Sequence, residues 1–168
     1  MASTPNTQSA LFELPVPVAQ ALPWFTAEGE RAWAPGWDPE LLSGDGSRGS
    51  VFRTRNADGL VTTWIVIEYG VHAGIGRAAY ARVAGGEHAG LVEVECRGSG
   101  VDRCTVEVRY TLTPLAPEFA DKIAAFAAPA AYTAMIAQWG VWISAAIAAQ
   151  AAADCSALPP GRLHVLVT

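Results

Sequence analysis

The sequence predicts an α+β protein in which a curved antiparallel sheet of six to seven strands wraps around one long C-terminal helix. Residues 50–115 alternate apolar and polar side chains between turn residues, which is typical of antiparallel strands with one buried face. Residues 118–153 then carry apolar side chains at helical spacing. The 168 residues suit one domain, which we expect to span residues 1–168 with a flexible N-terminus at 1–9 and a C-terminal tail at 155–168.

The segment before the sheet predicts one strand followed by short helices. Pro15 and Pro17 exclude a helix from Leu11–Val18 and favour an extended edge strand. Ala19–Ala34 predicts one or two short helices, because a proline and a glycine interrupt it. Thr26 is the candidate N-cap within that segment.

The clearest predicted strand is Cys104–Leu112, whose even-numbered residues are apolar and whose odd-numbered residues are polar or charged. The preceding strand alternates in the same way, and a turn at Gly98–Gly100 joins the pair. A symmetric hairpin would set Cys96 opposite Cys104, within reach of a disulfide. The odd cysteine count favours the reduced thiols instead.

An earlier hairpin is predicted around Asn56–Gly59. A three-residue loop with Gly59 in the left-handed conformation would place Phe52 directly opposite Trp64 on the inner face. A two-residue turn would instead put Ile65 and Ile67 inside and Trp64 outside. Both registers stay open on the sequence, and the first is favoured because it forms an aromatic core pair.

The last element carries an apolar stripe at spacings of four, three, four and four, formed by Tyr132, Ile136, Trp139, Ile143 and Ile147. Pro129 is expected to kink or restart this helix. Residues 123–153 are uncharged and exceed the roughly 20 residues that span a bilayer, but alanine supplies most of their bulk. We therefore expect a buried amphipathic helix and no membrane span.

Charge and composition exclude several classes of function. Only 16% of residues are charged, the net charge is −5 and Lys122 is the single lysine, so no cationic surface for nucleic acid is expected. The three cysteines lack metal-ligand spacing and indicate a reducing compartment, with no metal site. The N-terminal residues lack the basic and apolar regions of a secretory signal, which favours the cytoplasm.

Two further patterns are interpreted as structural. Residues 44–51, GDGSRGSV, match the GxGxxG pattern, but a strand follows them where a dinucleotide site needs a helix, so they predict a flexible turn. His72, His88 and His164 lie in predicted loops or in the tail and are interpreted as surface histidines. No motif for a catalytic nucleophile is present, and no catalytic residue is assigned.

The run Phe25–Glu40, FTAEGERAWAPGWDPE, resembles the FTPEGE…W.PGW.PE segment of small bacterial SRPBCC proteins, relatives of the START, polyketide-cyclase and birch-pollen-allergen group. Further segments are similar to that family in the same order: Gly49–Thr54, Thr63–Trp64, Tyr80–Val83 and Val108–Thr113. The pattern departs at Ala27, where the family has proline. The resemblance implies a helix-grip fold with an internal, mostly apolar pocket, and it implies no particular reaction.

Within such a pocket we expect a small hydrophobic or aromatic ligand, lipid-like or polyketide-like, in a cavity above about 300 Å³ and without a cofactor. The candidate ligand-binding residues are inward-facing side chains of the strands and the helix: Phe52, Trp64, Tyr80, Tyr110, Tyr132, Ile136, Trp139 and Ile143. The candidates for the mouth of the pocket are Trp33, Trp37 and Arg82.

Charged residues also lie among the tryptophans of the family-like segment: Glu28, Glu30, Arg31 and Asp38. They could orient a ligand at the pocket mouth, or they could cap and pair locally. Local pairing is the favoured interpretation, because aromatic residues in such a segment more often fill space than bind.

Two other functions stay open on the sequence. A polyketide cyclase or dehydratase would use Tyr80, Arg82 or Tyr110 as an acid or hydrogen-bond donor to an enolised substrate. A partner-binding protein similar to the activators of a heat-shock ATPase would need a docking surface that the sequence does not indicate. The tail Arg162–Thr168 could pair with an edge strand of the same or a second subunit, which would allow a homodimer.

Overall fold

Seven antiparallel strands form one sheet in the order β1-β7-β6-β5-β4-β3-β2, which confirms the predicted strand number. The computed structural model describes residues 4–157. Its strands are β1 (Asn6–Leu14), β2 (Glu40–Ser43), β3 (Val51–Arg55), β4 (Val61–His72), β5 (Ile75–Ala84), β6 (His88–Gly100) and β7 (Arg103–Pro114).

The helices follow the first and the last strand. After β1 come α1 (Val18–Ala21), a 3-10 turn at Leu22–Phe25 and α2 (Ala27–Glu30). After β7 come a 3-10 turn at Pro117–Phe119, α3 (Ala120–Phe126) and α4 (Pro129–Ala157). The predicted tail Arg162–Thr168 and His164 lie outside the described residues.

The first strand is longer than the sequence predicts. It begins at Asn6, so residues 6–9, expected to be part of a flexible N-terminus, are paired with the C-terminal half of β7. These residues are mostly polar, and the alternation that identified the other strands is absent there. Backbone hydrogen bonds to β7 hold residues 6–9 in the strand, and these bonds do not require apolar side chains. The alternation of side chains therefore could not predict this part of β1.

The hairpin between β3 and β4 has the three-residue register that was favoured. The Asn56 backbone N–H donates to the Leu60 carbonyl at 3.1 Å, and Gly59 has a φ of 82°. Phe52 pairs with Trp64, and both are buried. The two-residue alternative is wrong, since Ile65 is exposed on the outer face.

The hairpin between β6 and β7 turns later than predicted. β6 continues through Gly98–Gly100, so that Gly98 pairs with Cys104 and Cys96 pairs with Val106. The two cysteines are therefore offset along the strands, and both are buried free thiols. The disulfide alternative does not occur, because the longer strand moves the turn away from the symmetric position.

Helix α4 covers the inner face of the sheet and packs most closely on β1. Pro129 restarts the helix after Ala128, as predicted. A Cβ at Gly140 would lie 2.9 Å from the Phe12 ring, so the missing side chain permits this close approach.

The composition of α4 corrects one expectation and supports another. The face of α4 opposite its buried stripe consists mainly of alanine rather than of charged residues. The helix is therefore not amphipathic, contrary to the expectation from the sequence. Among the described residues it is the one helix long and apolar enough to cross a membrane. Because Tyr132, Ile136 and Ile143 are buried against the rest of the domain, it is the core helix of the fold.

Candidate ligand cavity

A cavity of about 230 Å³ lies between the inner face of the sheet and α4, where α2 and the loop after it cover the core. Its wall is mainly apolar and contains five of the six tryptophans of the chain. Trp142 is partly exposed, at 37%. The lining residues are Ala27, Glu30, Trp33, Ala34, Pro35, Trp37, Phe52, Trp64, Tyr80, Val92, Val94, Tyr110, Trp139 and Trp142.

One wall of the cavity is an aromatic cluster on β3, β4 and β5. The Phe52 and Trp64 rings are stacked, with centroids 5.8 Å apart and an interplanar angle of 3°. Tyr80 meets both rings edge-on, at 6.0 and 6.4 Å. Trp37 covers the pair from the loop side, 5.5 Å from Trp64. These offset and edge-on arrangements stabilise the cluster beyond the area that it buries.

The covering loop is held in place by indole hydrogen bonds to the backbone. Trp33 Nε1 donates to the Trp24 carbonyl, and Trp37 Nε1 donates to the Ala27 carbonyl, both at 2.8 Å. The Trp33 ring then lies 5.2 Å from the Trp139 ring of α4. The loop tryptophans therefore have fixed positions, and their ring faces are left for contact with a ligand.

Most charges of the family-like segment pair locally, as the favoured interpretation predicts. Thr26 caps α2, since its Oγ1 accepts from the Gly29 N–H at 2.9 Å. Arg31 donates to Glu28 at 2.8 Å and forms a second ion pair with Asp38. This arginine joins α2 to the start of β2 and lies outside the cavity lining.

Glu30 is the exception to that interpretation. It lines the cavity, and within residues 4–157 its carboxyl group has neither an ion pair nor a hydrogen bond. Burial raises its pKa from the ordinary 4.5 to about 8, so it is mainly protonated at neutral pH. The cavity thus contains a carboxylic acid close enough to Tyr80 and Tyr110 to raise the pKa of both phenols.

The three buried tyrosines differ in what their hydroxyl groups bind. Tyr80 Oη donates to the Phe25 carbonyl at 2.6 Å, and Tyr132 Oη donates to the Val108 carbonyl at 2.9 Å. Both hydroxyls are therefore satisfied by the fold. Tyr110 lines the cavity and lies beside Arg82; burial raises its pKa to about 12, and the Arg82 charge opposes that rise.

Arg82 and His88 both differ from their predicted positions. Arg82, expected at the mouth, does not line the cavity, and its Cζ lies 4.5 Å from the Trp64 ring centroid. Its inward position follows from the alternation of β5, in which Tyr80 also faces inward. His88, expected on the surface, is 6% exposed, because β6 begins at this residue and it faces inward.

A second cleft of about 400 Å³ adjoins the cavity. Ala27, Phe52 and Tyr80 line both spaces and form the wall between them. The remaining lining comes from α2, β2, the turn after it and the inner face of β4: Thr26, Glu28, Pro39, Leu41, Asp45, Gly46, Ser47, Val66 and Tyr69. In that turn Ser50 is buried and its Oγ accepts from the Gly46 N–H at 3.0 Å, which fits the predicted turn.

The predicted site residues fall into two groups. Seven line the cavity: Trp33, Trp37, Phe52, Trp64, Tyr80, Tyr110 and Trp139. Tyr132, Ile136 and Ile143 do not line it and are fully buried elsewhere in the core. The difference arises because α4 packs along β1, which closes that part of the inner face.

Several lining residues were missed by sequence reasoning. Val92 and Val94 lie on the inner face of β6, and their place in the predicted alternation could have identified them. Glu30 was considered as a group at the pocket mouth but not favoured, although it precedes Trp33 by three residues, a spacing that brings side chains together on a helical turn. Trp142 follows Trp139 by three residues and also lines the cavity. It was missed because only the residues of the apolar stripe of the helix were considered as lining residues.

Comparison with known proteins gives matches in structure and none in sequence: no family model and no curated protein matches the chain. Norcoclaurine synthase from Thalictrum flavum, as a point mutant in complex with a transition-state analogue, aligns with a TM-score of 0.67 over 90% of this chain and 99% of that chain, at 13% identity. The chain has the helix-grip fold.

Two other solved structures support this fold. Major latex-like protein 151 from Panax ginseng aligns with a TM-score of 0.61 at 13% identity, covering 84% of this chain and 96% of that chain. The Mll3558 protein from Rhizobium loti aligns with a TM-score of 0.59 at 15% identity, covering 84% and 99%. The resemblance found in the sequence is therefore confirmed at the level of the fold, and the SRPBCC fold itself leaves the function to be argued from the cavity.

Proposed function

We propose that this SRPBCC protein binds a small aromatic molecule in the cavity between its sheet and α4. The observation that carries the proposal is the mainly apolar cavity lined by five tryptophans. Ligand sites are typically apolar and aromatic, with a few polar groups that set orientation. Glu30 and Tyr110 supply such groups here, because the protonated acid and the phenol each have a hydrogen to donate.

The volume restricts the class of ligand. The cavity of about 230 Å³ is below the minimum of about 300 Å³ expected of a ligand cavity, because Trp33, Trp37 and Trp139 occupy part of the space. An apolar cavity of about 150 Å³ is sufficient for benzene. The space therefore suits a ligand of one or two fused rings better than a lipid chain.

The test is a thermal-shift and calorimetric titration with 2-naphthamide, followed by a screen of small aromatics and polyketide-like compounds. A saturating ligand at about 100 times its Kd should raise Tm by about 5–10 °C. The matched variants are Val92→Phe, which fills the cavity from β6, and Val83→Phe, which places the same ring on the exposed outer face. We expect only Val92→Phe to lose binding; no binding by the wild type to any compound would refute the proposal.

A second candidate function is proton transfer at a carbon next to a carbonyl, the type of step that a cyclase uses. The specific observation in its favour is Glu30, an ionisable group inside the cavity beside Tyr80 and Tyr110. The Glu30 carboxylate would remove an α-proton while the Tyr110 hydroxyl donates to the carbonyl oxygen, giving an enolate that is reprotonated from the same acid.

The enzyme candidate is tested by hydrogen–deuterium exchange of 2-tetralone in D₂O, followed by NMR. Because Glu30 must be ionised to act as a base, the exchange rate should rise with pH to a plateau above about pH 8. Glu30→Gln should slow the exchange at least about 100-fold. Exchange equal to that in buffer alone, or unchanged in Glu30→Gln, rejects this candidate and leaves ligand binding unaffected.

We also propose the reducing cytoplasm as the location of this protein. Cys96 and Cys104 are buried free thiols on neighbouring strands, an arrangement that suits a compartment where thiols stay reduced. Fractionation of the native host, with detection by antibody, checks this assignment.

A further inference from the structure

A cation lies between two rings of the cavity wall. The Arg82 Cζ is 4.5 Å from the Trp64 ring centroid and 6.0 Å from the Tyr110 ring centroid. Trp64 and Tyr110 both line the cavity, so the guanidinium is one side chain away from a bound ligand. The ring faces stabilise the charge in part, as cation–π contacts do.

Arg82 has no carboxylate partner among residues 4–157. Seven other cationic side chains in that range form ion pairs with Asp or Glu: Arg31, Arg53, Arg77, Arg97, Arg103, Arg109 and Lys122. The Arg82 Nε is instead buried without a hydrogen-bond partner. A buried polar atom without a partner is costly, and functional sites are where such costs persist.

A second buried side chain near Arg82 is also unpartnered. His88 is 6% exposed, and both of its ring nitrogens lack a hydrogen-bond partner in the described part of the chain. It pairs with Ala84 on β5, two residues beyond Arg82, and the Arg82 charge acts on it. Burial lowers the pKa of His88 to about 4, so at neutral pH the ring is uncharged and carries one N–H donor.

These groups together present hydrogen-bond donors and a positive charge without a carboxylate. The guanidinium lies against the Trp64 and Tyr110 rings and acts on His88, and within residues 4–157 no carboxylate forms an ion pair with it. Glu30 is mainly protonated at neutral pH because of its raised pKa, so it does not neutralise the cation. A ligand oxyanion would satisfy the buried donors with charge-assisted hydrogen bonds.

We propose that Arg82, with Tyr110 and His88, forms an anion-recognition site, and that the ligand of this cavity is an aromatic molecule that carries a carboxylate or phenolate. This inference rests on the proposed ligand-binding function and adds the charge of the ligand. The aromatic ring would lie against the tryptophans, and the anionic group would enter between Trp64 and Tyr110.

The test compares two probes of the same shape, 2-naphthoate and 2-naphthamide, by calorimetry at pH 7. The wild type should bind the anion at least about tenfold more tightly, the effect of one hydrogen bond to a charged group. Arg82→Met keeps the length of the side chain and removes its charge, and it should bring the two affinities within about twofold of each other.

The controls separate electrostatic recognition from a general loss of structure. Arg82→Lys keeps the charge and should retain part of the preference, because an ammonium lacks the planar donor fork. Arg77→Met removes a cation from the outer face of the same strand, where it pairs with Glu95, and should keep the full preference. Variants are compared only after circular dichroism and thermal melting confirm that they fold.

Each outcome decides one of the two proposals. A preference for 2-naphthoate that Arg82→Met removes and Arg77→Met retains supports the anion site. Equal binding of both probes by the wild type overturns the anion site and leaves aromatic binding intact. Binding of neither probe, nor of any compound in the aromatic screen, overturns the proposed function and the anion site with it.

Discussion

The inner face of the sheet is divided into two regions that the sequence does not distinguish. In the packed region, Tyr132, Ile136 and Ile143 are at most 1% exposed, and the Tyr132 hydroxyl is bonded to the Val108 carbonyl. In the open region, the wall of the cavity includes Trp139 from the same helical stripe. Apolar residues at the same helical spacing are thus closely packed in one part of α4 and line the cavity in another.

The position of α4 explains the division. Gly140 allows the helix to lie against Phe12 of β1, which brings the branched aliphatic side chains into full contact with the core. At the other end the loop between α2 and β2 covers the sheet, and its residues Trp33 and Trp37 line the cavity. Substitutions in the packed region should therefore change stability, and substitutions in the open region should change binding.

The largest expected effect is that of Ile136→Ala in the packed region. Ile136 is completely buried, so the truncation leaves a cavity and should lower the free energy of unfolding by about 2–5 kcal/mol. Chemical denaturation measures this loss. Ile147→Ala, on the same stripe but only partly buried, serves as the control and should cost clearly less; equal losses would mean that the two positions are packed alike.

A matched pair of substitutions compares the regions directly. Val94 and Val108 are cross-strand partners, but only Val94 lines the cavity. Val108→Leu overpacks a fully buried site and should lower the free energy of unfolding by about 1–3 kcal/mol. Val94→Leu should leave stability unchanged and weaken 2-naphthamide binding. The comparison breaks down if both substitutions destabilise the protein equally.

Two tyrosine substitutions separate structural from ligand-directed hydroxyl groups. Tyr132→Phe removes the hydrogen bond to Val108 and should lower the free energy of unfolding by about 1 kcal/mol without altering ligand affinity. Tyr110→Phe should show the reverse, with weaker binding of 2-naphthoate and little change in stability. Equilibrium unfolding and calorimetry on both variants measure the two effects, and an exchange of the two results would refute the assignment.

A further prediction concerns the pH dependence of stability. Because the pKa of Glu30 is raised from 4.5 to about 8, the folded state binds the proton more tightly than the unfolded chain. This contribution is complete below pH 4.5 and is lost as the pH rises to about 8. One pKa unit corresponds to about 1.4 kcal/mol, so across that window Tm of the wild type should fall relative to Glu30→Gln by about 10 °C.

Glu28→Gln is the control for that measurement. Glu28 lies two residues earlier on α2, is exposed and pairs with Arg31. The difference in Tm between this variant and the wild type should not grow between pH 5 and 8. If Glu28→Gln and Glu30→Gln have the same pH profile, Glu30 is not buried in the cavity.

The sequence predicted those parts of the fold that have a strong local signal. Alternation located β6 and β7, the Asn56–Gly59 turn favoured the register that pairs Phe52 with Trp64, and Pro129 marked the start of α4. The aromatic part of the cavity followed, because cross-strand partners on an inner face must meet.

The parts that could not be predicted depend on contacts distant in the sequence. Residues 6–9 join the sheet through the backbone of β7, which no side-chain pattern reports. Arg82 and His88 face inward on β5 and β6, although arginine and histidine are more often found at the surface. Their orientation follows from how β5 and β6 pair on either side of the turn at Gly85–Gly86, which the sequence does not show. The separation of Ile136 from the cavity depends on the packing of α4 against β1.

The most direct test of the central claim is the response of the six tryptophan indole N–H signals to 2-naphthamide in ¹H–¹⁵N NMR spectra. Trp33, Trp37, Trp64, Trp139 and Trp142 line the cavity, whereas Trp24 does not and serves as an internal reference. If 2-naphthamide binds in the cavity, the signals of the five lining tryptophans shift on titration and the Trp24 signal stays in place. A titration that moves no indole signal, or that moves only Trp24, would contradict it.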